Sequence, residues 1–102
     1  MPRTAFERQL NAIQEDMLVL ADMVDRAIEG SVRALKDRDA ALAHRIIADD
    51  VNINSKRYAI EEECLELIAT QQPLAGDLRV IVSVLYIIVD LERMGDHAEG
   101  IA

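Results

Sequence analysis

The sequence predicts an all-α protein, an antiparallel bundle of three long helices. Apolar residues recur at alternating steps of four and three along the first third of the chain, which is the spacing of one packed helix face. The 51% apolar content includes only 3% aromatic residues and no Trp, so Ala, Leu, Ile and Val must fill the core, as helix-on-helix packing allows. Two polar breaks divide the 102 residues into three segments joined by short loops, which makes neighbouring helices antiparallel. We expect one domain over residues 1–102, with helices at about 4–36, 39–70 and 74–102.

The first predicted helix opens with a capping-box sequence, in which Thr4 is the expected N-cap and Glu7 reaches back to it. Gly30 costs about 1 kcal/mol in a helix interior, and we interpret it as the mark of a close approach by another helix. The predicted buried face consists of Phe6, Leu10, Ile13, Met17, Leu20, Val24, Ala27, Ser31 and Leu35.

The second helix is expected to follow the break at 36–39, with Asp39 as its N-cap. One line of residues along this helix has apolar ends and a polar middle. It runs through Ala43, Ile47, Asp50, Asn54, Arg57, Glu61, Cys64 and Ile68. A solvent-facing stripe would explain the polar middle, and so would a row of ligands that faces another helix.

The third helix is expected to begin at Pro73, with Asp77 in its first turn, where a negative charge is favourable. The β-branched run Val80–Val89 by itself resembles a buried strand. No partner strand is recognisable elsewhere and no turn residue interrupts the run, so we predict that this segment is the most buried helix of the bundle. Arg79 and Asp90 close the run, which is therefore too short to span a bilayer.

Composition and charge limit the function classes. The net charge of −8 argues against a nucleic-acid partner, because no basic cluster is present to neutralise phosphates. It is compatible with divalent cations or with a basic face on another protein. Residues 1–36 carry charges throughout, so no signal peptide is visible. The single Cys64 cannot form an internal disulfide.

Paired oxygen donors recur at helical spacing. In a helix, Glu92 and Asp96 lie one above the other on one face, and Asp50 and Asn54 have the same spacing on the second helix. Such oxygens suit hard cations such as magnesium or manganese, and carboxylates also hold iron in helical bundles. The same spacing is common on solvated helices. The residues alone therefore leave two interpretations, a cation held between two helices or two solvated faces.

Four segments together resemble one protein family over essentially the whole chain. They are DVNIN at 50–54, IEEEC at 60–64, QPLAGDLR at 72–79 and DLERMGD at 90–96. The chain is similar in these segments to the PhoU family, whose members are usually about twice as long and contain two three-helix bundles in tandem. This chain resembles the N-terminal bundle. Because the sequence ends at Gly100–Ala102 without a capping signal, we expect it to be the first of two repeats in a longer protein.

The resemblance implies a regulator and not an enzyme. It implies a negative regulator of phosphate uptake and phosphate-starvation signalling, which couples a phosphate ABC transporter, through its ATPase, to a sensor histidine kinase of the membrane. It also implies a cytoplasmic protein that associates peripherally with the inner membrane through these partners, without a membrane span of its own. The resemblance also implies a homo-oligomer, with a dimer as the expected form.

The resemblance further implies a metal site. PhoU proteins carry acid-x-x-x-acid motifs that bind iron clusters or magnesium, manganese or zinc. Glu92 and Asp96 match the motif in full, whereas Asp50 and Asn54 match it with an amide in the second place. The amide keeps an oxygen donor and removes one charge. The resemblance therefore implies that these four residues line a shared face between the second and third helices.

The residues also bear on two alternative functions. A ferritin-like di-metal protein would need Glu-x-x-His motifs, but Ala41 precedes His44 by three residues and Met94 precedes His97. A metal-free helical interaction module is compatible with the same sequence. No nucleophile is found beside a base. His44 is expected to face solvent, His97 is expected to lie at the surface or behind the metal ligands and not to be a direct ligand, and Cys64 is expected to be a small buried apolar residue.

Arg79 and Arg93 are the candidate partner-binding residues. Each also has an intramolecular alternative. Arg79 would brace Asp77 or the preceding loop, and Arg93 would pair with Glu62 or Glu63.

Overall fold

Three α-helices form an antiparallel bundle, as predicted. The structure is a computed structural model that describes the backbone of residues 2–102 and the side chains of residues 5–102. Helix α1 spans Pro2–Asp37, α2 spans Ala40–Gln71 and α3 spans Ala75–Ile101, and each contacts the other two. The bundle measures 55 × 18 × 15 Å. The fold class is confirmed, and the helix ends lie within two residues of the predicted ones.

The predicted buried face of α1 packs largely as its spacing predicts. Helix α1 begins at Pro2, so Thr4 lies inside it instead of at the N-cap, and the side chain of Thr4 is outside the described residues. Leu35 was expected to be buried, and that prediction is wrong, because it is 69% exposed. Two consecutive steps of four, from Ala27 to Ser31 and on to Leu35, carry it past the buried face. Ala34, three residues after Ser31, is buried instead.

The core is a continuous column of aliphatic side chains contributed by all three helices. Its fully buried members include Ile13, Leu20 and Val24 from α1, Ile60 and Cys64 from α2, and Ile81, Val84 and Ile88 from α3.

Two features of α1 near its C-terminal end allow close packing. A Cβ atom on Gly30 would lie 2.8 Å from Cδ1 of Ile46, so the predicted close approach at this glycine is confirmed. The buried hydroxyl of Ser31 donates to the carbonyl of Ile28 at 2.9 Å, which satisfies a polar group in the core without another helix.

The first loop matches its prediction and the second does not. Asp39 caps α2, because its side chain accepts a hydrogen bond of 3.0 Å from the backbone N–H of Leu42. Helix α2 ends before Gln72, which takes a left-handed conformation with φ 44°. Pro73 was expected to be the first residue of α3, and this is wrong. The extended Leu74 intervenes and accepts the first backbone hydrogen bonds of α3 through its carbonyl.

The β-branched run of α3 is helical, as predicted, but it is buried on one side only. Ile81, Val84 and Ile88 enter the core, whereas Tyr86 is 72% exposed and Ile87 is also exposed. The reason is geometric, since two neighbouring helices cover only one side of a third. Asp77 lies in the first turn of α3, as expected. Within the described range, no helix is both long and apolar enough to cross a membrane.

The Asp39 cap offers a test of the loop between α1 and α2. Asp39→Ala is expected to lower the free energy of unfolding by about 1 kcal/mol, because the N–H of Leu42 loses its acceptor. Urea denaturation monitored by circular dichroism measures the change.

Asp37→Ala is the matched control. It removes the same charge two residues away, at the C-terminal end of α1, where an acid is unfavourable to the helix dipole. We expect no loss of stability there. An equal loss in both variants would mean that Asp39 acts through its charge and not through the cap.

Candidate functional site

The polar middle of α2 faces α3. Asp50 is only 7% exposed, and Nδ2 of Asn54, one helical turn away, donates to its Oδ2 at 3.3 Å. The remaining oxygens, Oδ1 of Asp50 and Oδ1 of Asn54, are buried without a hydrogen-bond partner. Burial of carboxylate and amide oxygens without hydrogen-bond donors lowers the stability of the fold. A positive charge or a proton beside this pair would offset that loss.

Helix α3 reaches Asp50 through a glycine. Gly95 is buried, and a Cβ atom on it would lie 3.3 Å from Cγ2 of Ile53 and 3.8 Å from Oδ1 of Asp50. A Cβ atom at this position would be tight against Ile53 and in ordinary contact with the carboxylate. The glycine in the sequence GD at 95–96 therefore brings the α3 backbone up to the oxygen that has no donor.

Two further acids surround the carboxylate of Asp50. Burial, and then the charge of Asp96, raise the pKa of Asp50, although hydrogen bonding to Asn54 and Glu99 opposes this. The pKa of Glu99 is also raised, chiefly by the charge of Asp50 and further by partial burial and by Asp96. Asp50 and Glu99 thus each hold a proton more tightly than usual, beside the negative charge of Asp96.

Arg57 lies on the same face of α2, next to the acids Glu61 and Glu92. Its Nη2 lies 3.4 Å from Oε2 of Glu61 and its Nε lies 3.8 Å from Oε1 of Glu92, and its side chain is 14% exposed. The guanidinium also stacks over Tyr58, with 4.6 Å between Cζ and the ring centroid. At 3.8 Å the contact with Glu92 is an ion pair without a hydrogen bond, and the buried Nε has no hydrogen-bond partner.

The structure brings only part of the predicted ligand set together. Asp50 and Asn54 are in contact and Asp96 acts on them electrostatically, whereas Glu92 is paired with Arg57. Among the residues that the structure describes, no group of three or more His, Cys, Asp or Glu side chains is placed to hold a metal ion. The donor chemistry fits a hard cation at Asp50 and Asn54, but the four predicted residues do not form one ready-made site.

Sequence reasoning missed two functional candidates. Arg57 was recognised only as one member of the polar line, and Glu99 was not considered. A signal for Glu99 was present, because it follows Asp96 by three residues and Glu92 by seven, which keeps it on the same helix face. No pattern within one helix could show that Arg57 would reach Glu92 across the interface.

A second cluster of acids, between α1 and α2, differs in having its own cation. Burial and the nearby Asp16 and Glu66 raise the pKa of Glu63, and the charge of Lys56 works in the opposite direction. Nζ of Lys56 lies 3.2 Å from Oδ1 of Asp16. Lysine therefore offsets the repulsion in this cluster. The cluster at Asp50 contains no basic side chain among the described groups that shift its pKa.

The remaining candidates are not arranged for chemistry. Cys64 is fully buried, and burial, followed by the charges of Glu63 and Glu61, raises the pKa of its thiol to about 11. The thiol is therefore protonated near neutral pH and is neither a nucleophile nor a ligand there. The prediction of a buried Cys64 is confirmed, as is the exposure of His44 and His97.

Arg79 and Arg93 are both exposed. Arg93 pairs with Asp90 on its own helix at 3.9 Å, and not with Glu62 or Glu63 as one alternative expected. Pairs so open to solvent contribute little to stability. A role for either arginine in binding a partner stays a prediction.

An open apolar groove runs between α2 and α3 beyond Arg57. It is lined by Glu61, Leu65, Val82, Leu85, Tyr86 and Val89. Leu65 is 54% exposed, so the groove presents large apolar side chains to solvent.

The raised pKa of Asp50 predicts how stability depends on pH in metal-free buffer. A carboxyl whose pKa is higher in the folded state binds a proton more tightly there, so its contribution is complete below the ordinary pKa and is lost as pH rises through the raised one. Asp50→Asn removes the charge, and its amide can still accept from Asn54 and donate to Glu99. We expect this variant to be more stable than the parent at pH 7, by about 1 kcal/mol.

Thermal unfolding between pH 4 and pH 7, with a chelator present, measures the effect. The difference between the parent and Asp50→Asn should shrink as pH falls. Asp90→Asn, an exposed acid on α3, should show no comparable gain. A less stable Asp50→Asn at pH 7 would contradict the account of Asp50 as an uncompensated buried charge.

Comparison with known proteins gives a consistent result. The family model described as the PhoU domain matches residues 17–102. The phosphate-specific transport system accessory protein PhoU homolog of Pseudomonas aeruginosa is 36% identical over 97 residues, which cover 95% of this chain and 40% of that protein. Its counterpart PhoU of Escherichia coli is 35% identical over 96 residues, covering 94% of this chain and 40% of that protein.

A similar relative from Aquifex aeolicus, also named a phosphate-specific transport system accessory protein PhoU homolog, is 40% identical over 95 residues, covering 93% of this chain and 43% of that protein. No solved structure gives a significant match. The chain thus spans about two fifths of the length of these relatives. Because the family model covers most of the chain, and the resemblance read from four sequence segments agrees with it, the chain belongs to the PhoU family.

Proposed function

We propose that this chain is one repeat of a negative regulator of phosphate uptake and phosphate-starvation signalling. The observation that carries the proposal is similarity over nearly the whole chain to accessory proteins of phosphate-specific transport. In this role the protein couples a phosphate ABC transporter, through its ATPase, to a sensor histidine kinase. The chain acts as the first of two tandem repeats, on the cytoplasmic side of the membrane and as part of a dimer.

The surface of the bundle supports a role in binding proteins. The apolar groove between α2 and α3 exposes Leu65 and Tyr86, and Glu61 lies at its edge. The net charge of −8 favours partners with basic surfaces. The only thiol is buried and protonated, which is compatible with regulation by contact and without catalysis.

A metal ion at the α2–α3 face is the second part of the proposal. Asp50, Asn54 and Asp96 would hold it, and the supporting observation is the pair of buried oxygens that have no donor. When bound, a hard cation such as manganese, magnesium or iron would supply the positive charge that this face lacks. Glu92, the fourth predicted ligand, is engaged by Arg57.

Metal binding predicts a change in thermal stability. Added Mn²⁺ should raise the melting temperature, because a ligand that binds only the folded state stabilises it, by about 2.7 kcal/mol at a hundredfold excess over its Kd. Asp96→Asn should remove most of that rise, whereas the exposed control Asp90→Asn should retain it. Differential scanning calorimetry with and without Mn²⁺ measures both.

A metal-free interaction module is the alternative function, and one observation favours it. The described His, Cys, Asp and Glu residues form no group of three that is placed to hold a metal. Under this alternative, Asp96→Asn would be neutral or stabilising in every buffer, since it removes one of several repelling charges. The absence of any Mn²⁺ effect on the parent protein would favour it.

The regulatory role is tested in the cell, independently of metal. Deletion of the encoding gene should leave phosphate-starvation genes active in phosphate-rich medium, because their repression requires the regulator. A reporter fused to such a gene measures the outcome. Re-expression of the full reading frame should restore repression, and unchanged repression in the deletion strain would overturn the proposed role.

A further inference from the structure

The apolar groove between α2 and α3 is built by helix positions that repeat at steps of three and four. On α3, Val82, Leu85 and Val89 follow one another at three and then four residues. On α2, Leu65 follows Glu61 by four residues. This is the spacing of the residues with which one helix packs against another. The groove therefore has the shape that an added α-helix would fill by lying along both walls.

Both tyrosines of the chain are exposed on this side of the bundle. Tyr86 lines the groove and is 72% exposed. Tyr58 is 57% exposed and precedes Leu65 by seven residues, which places it on the same side of α2, about 10 Å along the helix. The third aromatic residue, Phe6, is buried. Exposed tyrosines are typical anchors of protein interfaces, because the ring buries a large area with few rotatable bonds.

The charge of the groove distinguishes it from another hollow of the surface. Of the described residues that line the groove, Glu61 alone is charged, and Glu62, the next residue on α2, is exposed. The hollow between α1 and α2 is lined by Arg26, Arg45 and Asp49, so it carries both signs. The net charge of −8 adds to the negative field around the groove. This field favours a partner with basic residues.

Two arginines beside the groove leave this negative charge in place. Arg57 is shared by two acids, since its Nη2 lies 3.4 Å from Oε2 of Glu61 and its Nε lies 3.8 Å from Oε1 of Glu92. Arg93 is paired with Asp90 at 3.9 Å, so this pair adds no net charge. The side chain of Glu61 is 36% exposed, and a basic side chain of a partner can therefore reach its carboxylate.

We propose that the α2–α3 groove binds a short amphipathic α-helix of another protein, whose apolar face packs on Leu65 and Tyr86 and whose basic residues meet Glu61. About three turns of helix would cover the groove. Arg79 is three residues before Val82 on α3 and does not line the groove. The inference rests on the proposed role of the chain in binding proteins, and it adds the chemistry of one partner.

Fluorescence anisotropy with a labelled synthetic helix measures the binding. The probe is a peptide of about 14 residues, with leucine at steps of three and four and lysine along the edges of that face. We expect it to bind the chain at least about tenfold more tightly than a peptide with the same leucines and glutamate in place of lysine. A scrambled peptide of the same composition should also bind less tightly. The preference for lysine should shrink as salt is added, because exposed charges are screened.

Tyr86→Ala and Ile87→Ala form a matched pair on α3. Ile87 is 42% exposed but does not line the groove. Tyr86→Ala should weaken binding of the lysine peptide by about tenfold, the size of effect expected for an interface anchor, whereas Ile87→Ala should change it by less than about twofold. Circular dichroism verifies that both variants are folded.

Glu61→Gln tests the charge of the groove. It should weaken binding of the lysine peptide by about threefold, as expected for one partly exposed ion pair, without weakening that of the glutamate peptide. Asp25→Asn is the control, because it removes the same charge from an exposed position on α1. It should leave the preference between the two peptides unchanged.

Several outcomes would overturn the proposal. Equal affinity for the lysine and glutamate peptides would do so, as would equal losses in Tyr86→Ala and Ile87→Ala. Sedimentation provides a further test. A parent dimer that excludes the peptide, and that Tyr86→Ala makes monomeric, would assign the groove to a second copy of the chain. The reporter in the deletion strain does not depend on the groove. Loss of repression on deletion, together with no binding of the lysine peptide, would therefore support the regulatory role and contradict this inference alone.

Discussion

Burial of the Asp50 carboxylate where two helices touch is the constraint on which the rest of the α2–α3 interface depends. Asp50 is 7% exposed, and its carboxylate accepts a side-chain hydrogen bond from Asn54. Helix α3 lies against it at Gly95, where the missing side chain leaves room for Ile53, since a Cβ atom would lie 3.3 Å from Cγ2 of Ile53. The contact at Gly95 therefore packs apolar groups together and also encloses an oxygen of Asp50 that has no hydrogen-bond donor. A substitution that alters the packing there also alters the surroundings of that oxygen.

The two clusters of acids between helices differ in the basic side chain that lies beside them. Between α1 and α2, Lys56 lies beside Asp16 and lowers the cost of ionising Glu63. Between α2 and α3, the basic residue is Arg57, and it serves Glu61 and Glu92 two turns away from Asp50. The first interface therefore has a cation of its own that offsets part of the repulsion, although the pKa of Glu63 is still raised. At the second, no basic side chain is among the described groups that shift the pKa of Asp50.

Features that depend on neighbours in the sequence were predictable, and those that depend on contacts between helices were less so. The Asp39 cap and the seam of α1 follow from local spacing, and even the failure at Leu35 arises from two steps of four in succession. The Asp50–Asn54 pair was visible for the same reason. The interactions of Glu99 with Asp50 and of Arg57 with Glu92 were not, because they depend on the register of α2 against α3. The start of α3 at Ala75 depended on backbone conformations at Gln72 and Leu74 that Pro73 alone did not reveal.

Chemical modification of the buried thiol of Cys64 reports on opening of the bundle. Cys64 is fully buried, and its pKa of about 11 leaves almost no thiolate at neutral pH. Oxidants and alkylating reagents attack exposed thiolates, so the native bundle is protected from them. Modification then requires α2 to part from its neighbours, and its rate follows the population of opened molecules whenever reclosing is faster than reaction. Since the sequence contains one cysteine, a chain with an oxidised thiol is one whose core has opened.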